Sequence, residues 1–373
     1  MAKHAFLSAS SSDCWINCPP SAKLCEGIVD EPSSFAQEGT DCHELCAYLV
    51  EKRLGRNVKD PTSTLSYYNE EMQNCAEEYC NYVLEQYEKA KEYYDDALIF
   101  IEQRLDFSKW VKDGFGAGDC VIVADQVLHI IDYKHALGVL VNSKENTQVL
   151  CYALGALEAF DNLYNIEQIE MTIFQPCREN IPTSYVTKDD LFDWAKNVLK
   201  PKAQLAYEGK GEFKAGNHYK FCKAKATCRK RAEMNLELAK YDFKIPDTLD
   251  DFEISAILPR IDELIKWDKD IKNYALSKAS FGTHFDGCKI VEGRSNRKYK
   301  DNEAVAKIVE DAGFDPYEKK LLSITAMNSL LGKTKFEKLL VDLIYKPPGK
   351  PALVPESDKR PEMKVAAENF KDR

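Results

Sequence analysis

The chain has 373 residues, of which 44% are hydrophobic and 30% charged, and its formal net charge is −10. Its length predicts two domains or one large domain with an appendage, and its composition is that of an ordinary soluble globular protein. No apolar run approaches the roughly 20 residues that cross a bilayer, and the start lacks the apolar core of a secretory signal. The acidic balance argues against a wholly basic protein that coats nucleic acid. We therefore expect a cytoplasmic protein with no membrane partner.

The spacing of apolar residues predicts alternating helices and strands in the first two thirds of the chain. Helices are predicted at 12–24, with Ser12 as N-cap and a break at Pro19-Pro20, and at 35–54, 69–95, 145–160 and 188–207. Runs rich in Ile and Val predict strands at 97–107, 118–124, 127–134 and 166–175. This order indicates an α/β fold with a mixed central sheet flanked by helices.

The chain changes character between Lys244 and Asp247, where a proline interrupts a charged segment. We expect three parts: a first domain over residues 1–240, a mainly helical accessory domain over 245–345, and an extended tail over 346–373 that is rich in proline and charge. A hairpin is predicted at 288–300. No chemistry is recognisable in the second and third parts.

The second and third predicted strands form a hairpin that carries charged residues at its far end. They meet at a turn-like Asp-Gln pair. Centring the hairpin near residues 126–127 places Asp119 opposite Lys134, and strand alternation places Asp132 on the same face as Lys134. Two carboxylates and one ammonium group are therefore predicted to converge.

Such a convergence needs a physical reason. Two carboxylates on an apolar hairpin would repel each other and lose solvation, and a divalent hard cation offsets both costs because it prefers oxygen ligands. The metal would activate a bound water and stabilise charge on a phosphate, while the lysine orients that water or neutralises the transition state. The alternative interpretation is an ordinary surface ion pair at the end of a strand.

Two more motifs flank the hairpin, one on an earlier helix and one on a later helix. In chain order the set reads Glu38-Gly-Thr-Asp-Cys-His43, Gly116-Ala-Gly-Asp119, Ile130-Ile-Asp132-Tyr-Lys134 and Gln148-Val-Leu-Cys-Tyr152. By order and spacing, this set resembles the RecB-type branch of the PD-(D/E)XK nuclease superfamily over roughly residues 1–235. Within that branch the chain looks similar to members encoded by phages or prophages.

The resemblance implies a restriction-endonuclease-like core and a metal-dependent DNA nuclease in the cytoplasm of a bacterial host. The ligands that it implies for Mg²⁺ or Mn²⁺ are the side chains of His43, Asp119 and Asp132 and the carbonyl of Tyr133. It makes Lys134 the catalytic lysine and places Gln148 and Tyr152 near the DNA strand. Glu102, on the preceding predicted strand, is expected only to support the ligands.

Four of the 13 cysteines bear on a second candidate site. Several nucleases of this branch hold an iron–sulfur cluster through one upstream and three downstream cysteines. The matching positions here are Cys18, Cys222 and Cys228, and Tyr219 stands where a third downstream cysteine is expected. Cys14, four residues before Cys18, or His218 would supply the missing ligand. Three interpretations stay open: a [4Fe–4S] cluster, structural zinc, or reduced thiols without metal.

The expected partners are DNA and phage replication or recombination proteins. Residues 196–231 hold eleven lysines and arginines against two glutamates, which indicates either a segment that guides DNA or a solvated helical face. The leading interpretation is an exonuclease, although the sequence does not distinguish polarity or strand preference. The alternatives are an inactive nucleic-acid-binding protein on a nuclease fold and a phosphodiesterase that acts on RNA.

Overall fold

A computed structural model describes residues 5–28, 34–135, 140–237, 249–291, 300–317, 322 and 324–345. The chain divides into two compact units, Met1–Ala275 and Leu276–Arg373. The first unit contains a sheet and every candidate site residue, and the elements described in the second unit are helical. None of the helices in the described ranges has the combined length and apolarity that a membrane crossing requires.

Five strands of the first unit form one mixed sheet. They are β1 Leu98–Asp106, β2 Phe115–Ala124, β3 Val127–Tyr133, β4 Gln168–Phe174 and β5 Thr183–Thr187, in the spatial order β1-β2-β3-β4-β5. The β3–β4 pair is parallel, and the other three pairs are antiparallel. A helix connects the two parallel strands, as parallel pairing requires a crossover.

Helices account for the rest of the described regular structure. In chain order they are α1 Ser12–Asn17, α2 Ser21–Leu24, α3 Ser34–Arg53, α4 Glu70–Tyr93, α5 Thr147–Phe160, α6 Lys188–Trp194, α7 Lys200–Glu208, α8 Arg229–Leu236, α9 Asp251–Ser280, α10 Asn302–Asp311, α11 Ile324–Leu331 and α12 Lys333–Leu340. A π-helical segment, Ala195–Leu199, joins α6 to α7. The crossover between β3 and β4 is α5.

The sheet is buried on both faces, which explains its almost continuous apolar strands. On β2, Val121 and Val123 belong to an apolar cluster shared with α1, α5 and α7, whereas Cys120 and Ile122 belong to a second cluster shared with α3 and α4. Successive residues of a strand point to opposite faces, so both clusters use the same strands. The predicted α/β fold, with helices on both sides of a mixed sheet, is confirmed.

The register of the β2–β3 hairpin differs from the prediction. Cys120 pairs with Ile131, so the hairpin centres on the Asp-Gln turn and not one residue beyond it. Gln126 closes this short turn with a left-handed backbone, φ +66°, a conformation that tight turns use. The register therefore places Asp119 across from Asp132 instead of the predicted lysine.

Smaller expectations were also wrong or fall outside the described residues. Ser12 lies inside α1 and is not its N-cap; its Oγ lies 2.6 Å from Thr147 Oγ1 at the start of α5. Strand β5 was not predicted, because five residues that follow a proline give a weak signal. The boundary expected at 240–245 and the tail at 346–373 lie outside the described residues, as does most of the hairpin expected at 288–300.

The sheet contains one histidine whose burial has a measurable consequence. His129 on β3 is buried, its Nε2 lies 2.9 Å from Thr172 Oγ1, and burial lowers its pKa to about 3. The Glu170 carboxylate, 3.8 Å from the same nitrogen, does not offset this effect. An unfolded histidine titrates near 6.5, so below that pH the unfolded chain gains a proton that the folded chain does not bind. Stability is then lost as the pH falls.

We expect this histidine to reduce the free energy of unfolding by up to about 1.4 kcal/mol per pH unit below about pH 6.5. Urea unfolding at several pH values measures the slope, and His129→Gln should make it shallower while keeping a polar contact to Thr172. The control is His284→Gln, which changes an exposed histidine. An unchanged slope in His129→Gln would show that another group causes the acid sensitivity.

Candidate metal centre

Asp119 is the residue at which the strands and α3 meet. Its Oδ2 accepts a 2.7 Å hydrogen bond from the backbone amide of Tyr133, and its Oδ1 lies 3.2 Å from His43 Nδ1. Burial alone would raise the pKa of Asp119, but the His43 and Lys134 charges hold it below its usual value. Asp119 is therefore ionised and fixed in place.

His43 lies on α3 and contacts Asp119 of β2 from that helix. Its side chain is one-third exposed (33%) and packs edge-on against the Tyr133 ring. Burial would lower the pKa of His43, yet the Asp119 carboxylate raises it to about 9. Since histidine binds a metal as neutral imidazole, metal binding here would release that proton.

Glu102 is the functional candidate that the sequence undervalued. The flanking pairs Ile101–Cys120 and Gln103–Gly118 place it across from Asp119. Its backbone is left-handed, with φ +49°, which is strained for a residue other than glycine. Partial burial and the nearby Asp119 charge raise the pKa of Glu102 to about 7, although the residue as a whole is exposed.

Asp132 and Lys134 form the second charged pair of the site. Lys134 Nζ lies 2.7 Å from Asp132 Oδ2, and only 3% of the Asp132 side chain is exposed. This approach does not have hydrogen-bond geometry, so the buried Oδ2 has no hydrogen-bond partner. Burial raises the pKa of Asp132, while for Lys134 the Asp132 and Asp119 charges outweigh burial and raise its pKa.

Helix α5 places an amide and a phenol beside this pair. Asn146 caps the helix through its side chain, which accepts from the amides of Gln148 and Val149. Gln148 Oε1 accepts from Lys134 Nζ at 3.2 Å, and its Nε2 donates to Asp132 Oδ1 at 3.3 Å and to Tyr152 Oη at 3.0 Å. All six side chains predicted for the site, from His43 to Tyr152, thus lie in one connected group.

The donor set fits a divalent cation. In the described residues, one group of three side chains has ligand atoms all within 4.8 Å of one another, and its members are His43, Glu102 and Asp119. Asp132, a predicted ligand, lies outside this group, and its Oδ2 is paired with Lys134 Nζ at 2.7 Å. Carboxylate oxygens with one imidazole suit Mg²⁺ or Mn²⁺. Ligation by the Tyr133 carbonyl stays a prediction, because the contacts described for that residue involve its amide and its ring.

The position of Glu102 across from Asp119 could have identified it as a candidate ligand. The missing information was the backbone conformation, because alternation assumes a regular strand. A residue with a left-handed backbone breaks the alternation, and the side chains of Ile101, Glu102 and Gln103 give no sign of that backbone conformation.

The predicted cysteines come together away from the metal centre, with one residue that sequence reasoning missed. Cys14, Cys222 and Cys228 share a small buried cluster with Tyr219, and Cys25 packs against it. Cys25 Sγ lies 3.8 Å from Cys222 Sγ. The fourth predicted residue, Cys18, is buried, and its pKa is raised by burial and also by the nearby thiols of Cys228 and Cys25.

The expected pairing of two thiols along one helix was wrong. Helix α1 ends at Asn17, and Cys18 is its C-cap with non-helical backbone angles, so Cys14 and Cys18 do not share a helix face. His218 is held by Lys214, whose carbonyl lies 2.8 Å from Nε2. In the described residues no three thiols lie mutually within 4.8 Å, so the sulfurs are not arranged for a single zinc ion, which requires four donors about 2.3 Å from the metal.

The fold and the site together define an α/β protein with a candidate divalent-metal centre at one end of its sheet. The chain belongs to the family described as "Protein of unknown function (DUF2800)", whose profile matches residues 4–361. It is also similar to a solved structure titled "Crystal structure of SSO0001", at 13% identity, over 50% of this chain and 94% of that chain, with a TM-score of 0.22. A TM-score this low does not establish a shared fold.

Removing one ligand should weaken metal binding without unfolding the protein. We expect Asp119→Asn and Glu102→Gln each to lower Mn²⁺ affinity by at least about 10-fold, since changes even to residues that only support ligands cost 10- to 100-fold. Isothermal titration calorimetry measures the affinity, and thermal unfolding confirms that each variant is folded. Asp189→Asn, on exposed α6, is the matched control. Unchanged affinity in Glu102→Gln would remove that residue from the ligand set.

Proposed function

We propose that this chain is a metal-dependent DNA nuclease, acting as an exonuclease in phage or prophage replication or recombination. The observation that carries the proposal is the convergence of His43, Asp119, Asp132 and Lys134 from three separate elements at one end of the sheet. A mixed sheet covered by helices on both faces supports a restriction-endonuclease-like core. The phage context rests on the sequence resemblance alone.

The residues of the chain have distinct roles in this reaction. His43, Glu102, Asp119 and Asp132 would hold a divalent cation, which when bound lowers the pKa of a ligated water and stabilises charge on a phosphate. Lys134 stays protonated because its carboxylate neighbours raise its pKa. This favours a role as a cation that orients the attacking water or neutralises charge on the phosphate.

Gln148 fixes the positions of the Lys134 and Asp132 side chains relative to each other. It accepts from Lys134 and donates to Asp132, so one amide fixes both side chains relative to α5. Its second donor contact holds the Tyr152 hydroxyl. This arrangement supports the predicted position of Gln148 and Tyr152 beside the substrate strand.

The basic segment at 196–231 supports a nucleic-acid substrate. Most of its lysines are exposed, including Lys196, Lys200 and Lys220. Arg231 is the exception: it is buried and paired with Glu263 at 2.7 Å and with Asp270 at 2.5 Å, so it holds α8 to α9 and does not belong to the exposed basic surface. Exposed lysines attract a phosphate backbone, and that attraction weakens as salt rises.

The proposal predicts cleavage that depends on metal and on the charged pair. The full chain, incubated with Mg²⁺ or Mn²⁺ and end-labelled single- and double-stranded DNA, should release labelled products. Asp132→Asn and Lys134→Gln should each lower kcat by roughly 10²- to 10³-fold, the effect of removing one electrostatic contact to a transition state. The product ladder also reports polarity and strand preference.

Lys59→Gln and Asp189→Asn are matched controls, because both change exposed residues away from the site. Full activity in the two site variants would refute the assignment. DNA binding without cleavage at any metal concentration would favour an inactive binding protein, and cleavage confined to RNA would favour an RNA-directed phosphodiesterase.

We also propose that these cysteines hold a [4Fe–4S] cluster; a single zinc ion fits less well, because no three thiols of the described residues lie mutually within 4.8 Å. Nearby backbone amides act to lower the pKa of Cys18, Cys25 and Cys222, but burial and neighbouring thiols outweigh them and raise the pKa of all three. A bound metal would supply the positive charge that favours the thiolate form. Cys25 is a fifth thiol that would replace the ligand missing at Tyr219.

Anaerobic purification followed by absorption spectroscopy and metal analysis tests this cofactor. We expect visible absorption and bound iron in the wild type, and their loss in Cys222→Ser. Cys288→Ser, which changes an exposed cysteine of the second unit, should retain both. Colourless wild-type protein that contains zinc would establish the alternative, and protein with neither metal would leave these residues as reduced thiols.

A further inference from the structure

A cavity of about 380 Å³ opens directly beside the candidate metal centre. Its lining includes Glu102, Asp119 and Tyr152 of the candidate site. Arg104 and Phe115 also line it, together with Ala5, Ser8, Ala9 and Ser10 of the N-terminal segment. Neither the metal nor the catalytic pair uses this second group of residues, so its chemistry is not explained by the roles assigned above.

Arg104 is the cation of this cavity. Its guanidinium carbon lies 3.8 Å from the centre of the Phe115 ring, which holds the group by a cation–π contact. Its nearest electrostatic partner on the same strand is Asp106, whose pKa is lowered chiefly by hydrogen bonds to Ser108 and in smaller part by the Arg104 charge. A guanidinium held by an aromatic ring, and only weakly coupled to a carboxylate, is suited to bind an external anion.

The N-terminal segment that lines the cavity is fixed in place and carries hydroxyl groups. Ser8 and Ser10 both line the cavity, with their Oγ atoms 3.2 Å apart. The segment is anchored by the buried Trp15, whose Nε1 donates to the Ser8 carbonyl at 3.1 Å. Hydroxyls and a guanidinium that line the same small cavity offer hydrogen bonds that match phosphate oxygens.

The floor is open because β2 has a glycine at this point. A Cβ atom on Gly116 would lie 2.7 Å from Tyr152 Cε1, so any larger residue would displace the ring. With glycine, Tyr152 reaches the floor while its hydroxyl still contacts Gln148. The cavity is thus continuous with the contacts that position Lys134.

We propose that this cavity, the Arg104 pocket, binds a phosphate group of the substrate strand adjacent to the scissile phosphate. The inference rests on the proposed nuclease function. A second phosphate beside Glu102 and Asp119 would be repelled unless a cation compensates its charge, and Lys134 is already paired with Asp132. Arg104 lines the same cavity as Glu102 and Asp119, so a phosphate bound by Arg104 would lie next to one bound at the metal.

The bound group is a phosphate in either of two positions: an internal diester or a terminal monoester. Modified oligonucleotides distinguish the two positions. They are single- or double-stranded according to which form the full chain cleaves better. One set carries a single neutral methylphosphonate next to the cleaved bond, and the other carries a 5′-phosphate, a 3′-phosphate or hydroxyl ends. Each set is cleaved by the wild type, Arg104→Gln, Arg104→Lys and the control Arg56→Gln, which changes an arginine already paired with Glu51.

We expect Arg104→Gln to lower kcat/KM about 10- to 100-fold on unmodified DNA, as for the loss of a charge-assisted hydrogen bond. Neutralising the contacted phosphate should cost the wild type the same factor and cost Arg104→Gln almost nothing more. Arg104→Lys should recover part of the loss, and Arg56→Gln should behave as wild type. Sensitivity to the methylphosphonate indicates an internal diester, and sensitivity to the end group indicates a terminal phosphate.

Two results would overturn the proposed phosphate site. One is an unchanged kcat/KM in Arg104→Gln. The other is that neutralising the phosphate lowers kcat/KM of Arg104→Gln by the same factor as in the wild type, so that the two effects are independent. If the wild type cleaves nothing, the nuclease proposal fails separately. The same oligonucleotides are then compared by fluorescence anisotropy with Ca²⁺ present, and equal affinities of wild type and Arg104→Gln would reject the pocket as well.

Discussion

The site depends on the compensation of two carboxylates, one buried and one largely buried, that lie across from each other on neighbouring strands. Asp119 and Asp132 would repel each other at this separation, and each is matched by a cation that a different part of the chain supplies. His43 reaches Asp119 from α3, while Lys134 follows Asp132 on the same strand. The two carboxylates are therefore compensated only when the hairpin, α3 and α5 are packed together as they are here. A divalent cation would relieve the remaining repulsion.

Much of this arrangement follows from the sequence, because it depends on local periodicity. Alternation along β3 placed Asp132 and Lys134 on one face, and helical spacing placed Gln148 and Tyr152 together. Two details failed. The predicted hairpin was centred one residue beyond the Asp-Gln turn, which shifted every pair by two positions. Glu102 was undervalued because its backbone has a positive φ, and no pattern of side chains encodes that angle.

The cysteines show a second limit of sequence reasoning. Cys25 and Cys222 are 197 positions apart, yet their sulfurs lie 3.8 Å from each other. Spacing rules apply within one element, and this contact joins the loop after α2 to the loop before α8. The expectation for Cys14 and Cys18 failed because α1 ends one residue too early. Contacts between distant loops are set by the packing of the whole unit.

The left-handed backbone of Glu102 has a consequence for how this family diverges. Such a conformation costs about 1–3 kcal/mol for a residue with a side chain, whereas glycine adopts it freely. A relative that no longer needs the carboxylate would become more stable by replacing it with glycine or asparagine. The residue found at this position in each homologue would therefore distinguish lineages that retain the chemistry from lineages that keep only the fold.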